Sequence, residues 1–294
     1  MSSMKLHEPV LLQKALEAIV PREGESYLDL TGGYGGHASG FLERTRNYKD
    51  AVLVDRDDFA VRNLHDRFDG KGVTTIHDSF SQAASTLVEC GYKFDIVFMD
   101  LGVSSPQLDN PERGFSFSES GPLDMRMDRR AEASAYDIVN KSSEDELFDI
   151  FVQYGEERPS QAKKIAQEIV NHRLIETTDK LAEMVQSLSR WKHSRTHPAT
   201  QVFQALRIAV NDELGEITKT LCLLSKLTKF GGRVGIISFH SLEDRLVKQY
   251  FNSDADLGFE SAFQTLTKKP IRGDIYDVNN PRARSAKLRV AVRK

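Results

Sequence analysis

Cysteine is nearly absent from this chain of 294 residues. Cys90 and Cys222 are the only two, too few and too far apart for a disulfide framework or a cysteine-based zinc site. Both are expected to be small core hydrophobes in a reducing compartment. There is one tryptophan, and neither an internal repeat nor a low-complexity tract occurs. Long hydrophobic runs are missing as well. No window approaches the roughly 18 apolar residues that span a bilayer. The N-terminal stretch MSSMKLHEPVLLQKALEAIVP is interrupted by Glu8, Gln13, Lys14 and Glu17, with no small-residue cleavage signal behind it. A protein with no membrane partner, working in the cytoplasm, is the expectation.

An excess of one charge is also lacking. Forty Lys and Arg face 43 Asp and Glu, a formal net charge of −3, so the total argues against a generic polycation. The total conceals an asymmetry, because residues 268–294 hold nine Lys or Arg against Asp274 and Asp277, and the remainder carries 31 basic and 41 acidic residues. Clustered cations with few acids suit a phosphate backbone, and equally a solvated basic edge strand.

What is present is a hydrophobic set of 39% with 19 glycines, in the range of ordinary globular domains. The length fits two domains, or one large domain with an insertion. Strand-like runs at 27–31, 51–55, 73–77, 94–101 and 233–239 alternate early on with helix-length stretches at 37–46, 58–68 and 80–90. That alternation predicts an α/β fold with a doubly wound, mostly parallel sheet. Ahead of it, Pro9 fits a first helical position, with Leu12, Leu16 and Ile19 on one face. The alternation stops after Ser104. A Pro-, Gly- and Ser-rich loop leads into helical stretches at 143–154, 160–173 and 178–191, opened by Ser or Thr as helix capping prefers. A longer helix over 199–227 then returns the chain to the sheet. The expected organisation is a sheet domain begun by residues 1–104, a helical substrate-recognition insertion over 105–200, and the sheet domain completed by residues 201–294.

Four segments carry candidate chemistry. The run from Asp29 to His37 follows the first strand and opens a helix. Gly33, Gly35 and Ala38 satisfy G-x-G-x-x-G/A, and Asp55 ends the second strand about 20 residues on, placed for a ribose hydroxyl. A nucleoside-containing cofactor follows. Asp29 at the loop's entry would repel a diphosphate and attract an ammonium, favouring S-adenosylmethionine over a nicotinamide dinucleotide. Asp100 closes an apolar strand at the crevice where such sheets bind ligands, or caps the next segment. Phe80 lies at the same edge, placed to pack on an adenine ring. In the third segment, the loop 113–128 with Arg113, Arg126, Phe115 and Phe117 suits an extruded base and its phosphates, or covers the insertion's own core. In the fourth, His240 and Ser241 end the last parallel strand and face the crevice by position, whereas Glu243 and Asp244 fit the first helical turn for dipole reasons. His193 and His197 have i, i+4 spacing but no evident third ligand, so no metal is expected.

Taken together these strings resemble one family, the bacterial 16S rRNA (cytosine-N4)-methyltransferases known as RsmH or MraW. The resemblance runs nearly end to end, through His7-x-Pro-Val-Leu-Leu12, Asp29-x-Thr-x-Gly-x-Gly-Gly-His37, Asp100-Leu-Gly-Val-Ser-Ser-Pro-Gln-Leu-Asp109, Arg113-Gly-Phe-Ser-Phe117, Tyr154-Gly-Glu-Glu-Arg158, Ile237-Ser-Phe-His-Ser-Leu-Glu-Asp-Arg245 and Asn280-Pro-Arg-Ala-Arg-Ser285. It implies a class I, Rossmann-like methyltransferase fold with an inserted helical domain and S-adenosyl-L-methionine as donor. It also implies methylation of a cytosine N4 in the decoding region of 16S rRNA, free or in the small ribosomal subunit. Carried onto matching positions, the family's cofactor contacts are Gly35, Gly36, His37, Asp55, Phe80, Asp100 and Gln107. The loop residues add Asp29 and Gly33. Asp100, Ser104, His240 and Ser241 are the expected catalytic set, and Arg113, Arg126, Arg195, Arg282, Arg284 and Arg289 the expected RNA contacts. Thr31 stands where the wider methyltransferase motif has its first glycine.

Overall fold

The computed structural model describes residues 9–188 and 197–294. All five expected strands form: β1 (Tyr27–Asp29), β2 (Ala51–Asp55), β3 (Thr74–His77), β4 (Phe94–Asp100) and β5 (Thr228–Ser238). Three more follow towards the C-terminus, β6 (Phe263–Thr265) ahead of the basic stretch and β7 (Ile271–Arg272) and β8 (Lys287–Arg293) within it. They make one sheet of order β3-β2-β1-β4-β5-β8-β6, with β7 also on β8. The first five are parallel and the last three antiparallel. The order turns back between β1 and β4, so their carboxyl ends form a topological switch point.

The chain folds as two compact units, Met1–Gly102 with Leu214–Lys294, and Val103–Glu213. In the sheet unit, β4 shows how the period of two builds both faces. Ile96 and Phe98 point into one core with Phe41 and Leu42 of α2 (Gly36–Thr45) and Leu64 of α3 (Asp58–Phe68). Val97 and Met99 point into the other, with Ala83 and Leu87 from the helix Phe80–Glu89, Leu224 and Leu227 from the helix Leu224–Leu227, and Val247 and Phe251 from the helix Ser241–Asp256. Leucine and phenylalanine on both sides explain why these strands read as nearly unbroken apolar runs.

The helical unit contains Ser105–Asp109, Ala135–Lys141, Glu144–Gln153, Pro159–Asn171, Thr178–Leu188 and Ala199–Asn211. Its core includes Val139, Leu147, Phe151, Ile165, Ile169 and Leu206. Three of these helices open with capping boxes, at Ser104, Ser134 and Ser143. The one at Ser143 is where the sequence pattern expects a helix start, whereas the helix Ala135–Lys141 is not among the expected ones.

Several expectations are corrected. The long helix over 199–227 is three helices, Ala199–Asn211, Glu213–Leu221 and Leu224–Leu227, broken at Asp212, which is left-handed with φ 47°. The break follows from anchoring inside the helical unit. The Asn211 side chain donates to the Met125 carbonyl and accepts from the Met127 amide, both at 2.8 Å, and Arg207 pairs with Glu213. The helical unit therefore runs to Glu213, whereas the sequence pattern places everything from 201 onward in the sheet domain. Pro9 is not a first helical residue. Leu11, left-handed at φ 56°, separates it from α1 (Leu12–Ile19). Cys90 and Cys222 are exposed rather than core residues, because both lie just beyond a helix where the apolar stripe has ended. His193, Arg195 and the end of the expected helix 178–191 lie outside the described residues.

One buried cation ties the N-terminal helix to the sheet. Arg233, 9% exposed on β5, donates to the carbonyl of Ile19 at 3.0 Å and of Val20 at 3.2 Å, and to Glu25 at 2.7 Å. Removing it leaves two carbonyls and a carboxylate without their donor. Arg233→Ala is expected to lower unfolding free energy by about 3 kcal/mol in urea titration. A loss of less than about 1 kcal/mol, the scale of a surface pair, would contradict this role.

Candidate active site

At the switch point, residues 30–35 carry the chain from β1 into α2. Gly33 (φ 52°) and Gly35 (φ 76°) both need the left-handed region that glycine tolerates. A Cβ on Gly35 would also lie 2.9 Å from Arg67 and Phe68, and one on Gly36 would lie 2.5 Å from Pro9. The loop is fixed from β2 by the Gly32 amide on the Val54 carbonyl at 2.7 Å and the Gly33 amide on Asp55 Oδ2 at 2.8 Å. From α3, Arg67 donates to the Tyr34 carbonyl at 3.0 Å and to the Ser39 hydroxyl at 2.9 Å. Thr31 has a role of its own. Its hydroxyl accepts the Asp100 amide at 2.6 Å, extending the β1–β4 pairing by one side-chain rung that glycine could not supply.

Three carboxyls surround this loop. Asp29, 1% exposed, accepts from the Tyr27 hydroxyl at 2.8 Å and the Thr31 amide at 3.1 Å. Burial nevertheless pushes it up to about 7. Asp55 accepts the backbone amides of Asp57 and Gly33, both at 2.8 Å, and burial raises it to about 6. Asp100 is held well above the usual carboxylate range, by burial first and then by the neighbouring charges of Asp29 and Glu243. Its Oδ1 is buried without a hydrogen-bond partner, and its Oδ2 lies 3.4 Å from His37 Nδ1.

His37 does not neutralise this cluster. Its Nε2 is 2.9 Å from the Val10 carbonyl and its ring packs on Phe98, while burial lowers its pKa to about 4. With Nε2–H donated to Val10, Nδ1 turns a lone pair towards Asp100. A protonated Asp100 satisfies that lone pair. A cationic ligand would replace the proton and leave the carboxylate charged.

The remaining expected residues divide by environment. Phe80 is half-buried at the start of its helix, which Ser79 caps. His240 is a capping residue: its Nδ1 accepts the Glu243 amide at 3.4 Å, and its Nε2 lies 3.1 Å from Glu243 Oε1. Glu243, fully buried, accepts the amides of Phe239 and His240. Ser241 is exposed in the first turn.

In the helical unit, the Ser104 amide donates to Gln107 Oε1 at 2.9 Å, and Gln107 is buried. Arg113 is 4% exposed and donates to the carbonyls of Arg126 and Met127. Arg126 is committed to Asp124 and to the Ala131 carbonyl. Phe115, Met125 and Met127 are buried in the unit's core, and Phe117 packs on Phe203 and His197. This loop covers the insertion's own core, and both arginines expected at RNA are internal struts. Arg289 is likewise paired with Asp244 at 2.8 Å and Arg282 is half-buried, which leaves Arg284 exposed.

The structural roles of Thr31 and Arg67 are not legible in the sequence, although Thr31 leaves a signal as the departure from glycine at its position. Glu243 is the first-turn acid that the sequence pattern expects, and the structure adds its capping box with His240.

The chain matches a model of the MraW methylase family over residues 4–294. Three proteins named "Ribosomal RNA small subunit methyltransferase H" are similar along their whole length. That of Halothermothrix orenii is 41% identical over 98% of both chains. That of Thermomicrobium roseum is 43% identical over 98% of this chain and 93% of its own. The Synechocystis sp. protein is 43% identical over 97% of this chain and 92% of its own.

The three raised carboxyls each take stability from the ligand-free fold as pH rises, against the opposite contribution of buried His37 between about pH 4 and pH 6.5. A carboxyl whose pKa is higher folded than unfolded stabilises below about pH 4 and loses that contribution as pH rises through its folded value. For Asp29 and Asp55 the loss falls between about pH 4 and pH 7, with Asp100 adding a further loss above the usual carboxylate range. Asp100→Asn removes a charge that no protein cation answers among the described residues. The ligand-free variant is expected to melt a few degrees higher than the parent at pH 8, at roughly 2–4 °C per kcal/mol for a chain of this size. A lower melting temperature at pH 8 would mean that the Asp100 charge is already compensated.

Proposed function

The chain belongs to the MraW methylase family, and from that premise we propose that it transfers a methyl group from S-adenosylmethionine to the exocyclic N4 of a cytosine in the decoding region of small-subunit rRNA. The observation that carries the cofactor reading is the buried, unpartnered Oδ1 of Asp100 at the mouth of a glycine loop. A diphosphate would have to approach three carboxyls there. A ligand bearing ammonium and sulfonium charges meets the opposite situation. The residues present fit such a ligand. A Cβ on Gly33 would meet nothing nearer than the Thr31 carbonyl at 3.8 Å, which leaves the loop's backbone open to close approach. Each Asp55 oxygen accepts one backbone amide and has a further lone pair for a hydroxyl, and Phe80 stands at the start of the helix after β3.

When bound, S-adenosylmethionine supplies an electrophilic methyl group. The cytosine amine is a poor nucleophile, because its lone pair is delocalised into the ring. The chain's contribution is therefore alignment and a fixed acceptor for the charge that develops on nitrogen. Asp100 is assigned that acceptor role, its free oxygen taking an N4 hydrogen. His37 sets the state of Asp100 through the lone pair on Nδ1, and Thr31 fixes its backbone. His240 positions the β5–helix turn through Glu243, and Ser241, exposed in that turn, orients the base. Gly36 completes the proposed cofactor set on the sheet unit.

Incubating the protein with tritiated methyl donor and either 16S rRNA or small subunits, then digesting to nucleosides, is expected to place label on N4-methylcytidine. Label on another nucleoside, or none, would reject the substrate assignment. Asp100→Ala is expected to reduce transfer by at least two orders of magnitude. Calorimetry with S-adenosylhomocysteine separates lost binding from lost chemistry, and near-parental turnover would remove Asp100 from the mechanism.

A further inference from the structure

Residues 268–286 form an excursion that the proposed reaction does not use. β8 runs antiparallel to β5 with Lys287 opposite Ser238, and Arg272 pairs with Lys287. The excursion therefore emerges where β5 ends, at the edge that also carries the ends of β1, β2 and β4. A short strap joins it to the glycine loop. The Leu11 amide donates to Asp277 at 2.9 Å, the Val10 carbonyl receives His37, and Pro9 abuts Gly36.

Its surface combines cations with exposed apolar side chains. Lys268, Lys269 and Arg284 are exposed, as are Ile275, Tyr276 and Val278 at 56%, 55% and 68%. The Lys14 ammonium lies 5.2 Å from the Tyr276 ring centre. Asp274 pairs with Arg272 and also faces the Arg284 charge, while Asp277 accepts the Leu11 amide. With five Lys or Arg against these two acids the excursion keeps a net positive charge. Exposed apolar side chains beside net positive charge match a strand of nucleic acid, whose phosphates and base faces need those two features together.

We propose that this excursion docks the single-stranded RNA flanking the target cytosine, with Lys268, Lys269 and Arg284 on phosphates and Tyr276 beneath an unstacked base. The inference rests on the rRNA reading above and places the strand on the sheet unit. It also narrows the basic recognition expected from sequence within 268–294, keeping Arg284 and releasing Arg289, which Asp244 holds together with Lys287.

The test uses the full chain and a single-stranded fragment spanning the methylated cytosine. Binding is followed by fluorescence anisotropy over a salt series, alongside KM and kcat for methyl transfer. Lys268→Gln, Lys269→Gln and Arg284→Gln together should flatten the slope of log K against log salt by about 2, from roughly 0.7 per single-strand phosphate, and raise KM for RNA at least about tenfold. kcat and S-adenosylhomocysteine affinity should hold. Tyr276→Ala should weaken binding about tenfold at an unchanged slope, with Tyr276→Phe restoring it. Unchanged slope and KM in the triple variant would overturn the proposal, as would equal weakening by Tyr276→Phe for the stacking role. If the parent labels no RNA at all, the functional reading fails. If the parent labels RNA and the variants match it, only the docking surface is refuted.

Discussion

The hydrogen bond from the Asp100 amide to the Thr31 hydroxyl, 2.6 Å long, fixes the end of the strand pair on which the rest of the site depends. β1 and β4 pair through their backbones from Tyr27 opposite Ile96 to Asp29 opposite Phe98, with the Leu30 amide on the Phe98 carbonyl. The Thr31 hydroxyl carries that pairing on to Asp100, beyond the last backbone rung. With it, two poorly solvated carboxyls lie beside one glycine loop, and a third reaches the loop from β2 through the Gly33 amide. Like charges in such a place cannot all ionise cheaply. The ligand-free fold resolves the conflict by keeping protons on the carboxyls, with His37 neutral beside Asp100. A site built in this way is poised for cationic ligands, since arrival of positive charge removes the reason for the protons.

The same logic explains why histidine, and not lysine or arginine, stands at position 37. A permanent cation there would satisfy Asp100 in the free protein and compete with the ligand for it. A histidine whose Nε2 is occupied by the Val10 carbonyl can order the carboxyl without carrying charge. The strap of Pro9 to Leu12 is thus integral to the site, although its proline suggests only a first helical turn when read in sequence. Leu11 adopts a left-handed conformation because its amide is needed by Asp277, a contact across 266 positions that local pattern cannot carry.

Legibility in the sequence follows the range of the interaction. The five parallel strands, the glycine loop and the acids at the strand ends are legible, because each rests on local periodicity or on a backbone conformation that one residue type tolerates. The helical insertion is legible from its apolar spacing and from the cap at Ser143, whereas Ser160 lies within the helix Pro159–Asn171, which Arg158 precedes. The C-terminal strands are not, and the reason is physical. In Lys287–Arg293 the apolar residues Leu288 and Val290 alternate with Lys287 and Arg289, a correct strand pattern. The cations draw the eye towards a nucleic-acid surface, while in the fold they neutralise Asp244 on the neighbouring helix. Arg113 and Arg126 show the same substitution of an internal partner for an external one. Charge seen in sequence has no address until its counter-ion is known.

That distinction bears on where recognition is divided between the two units. In the loop 113–128 the arginines, phenylalanines and methionines that together look like a base-binding surface are all engaged within the helical unit itself. Their packing gives the loop one conformation, and a loop with internal partners for its guanidinium groups has few donors left for phosphate. Cations outnumber acids five to two in the excursion before β8 and are outnumbered three to two in the loop 113–128, and the excursion's Tyr276 is exposed as well. An enzyme acting on a base within a long polyanion needs a rigid place for the reacting atoms and a separate, salt-sensitive grip on the strand. The carboxyl at the end of β4 meets the first need because Thr31 fixes its backbone and His37 lies against its side chain, and an exposed rim at the end of β5 can meet the second because its cations stand in water.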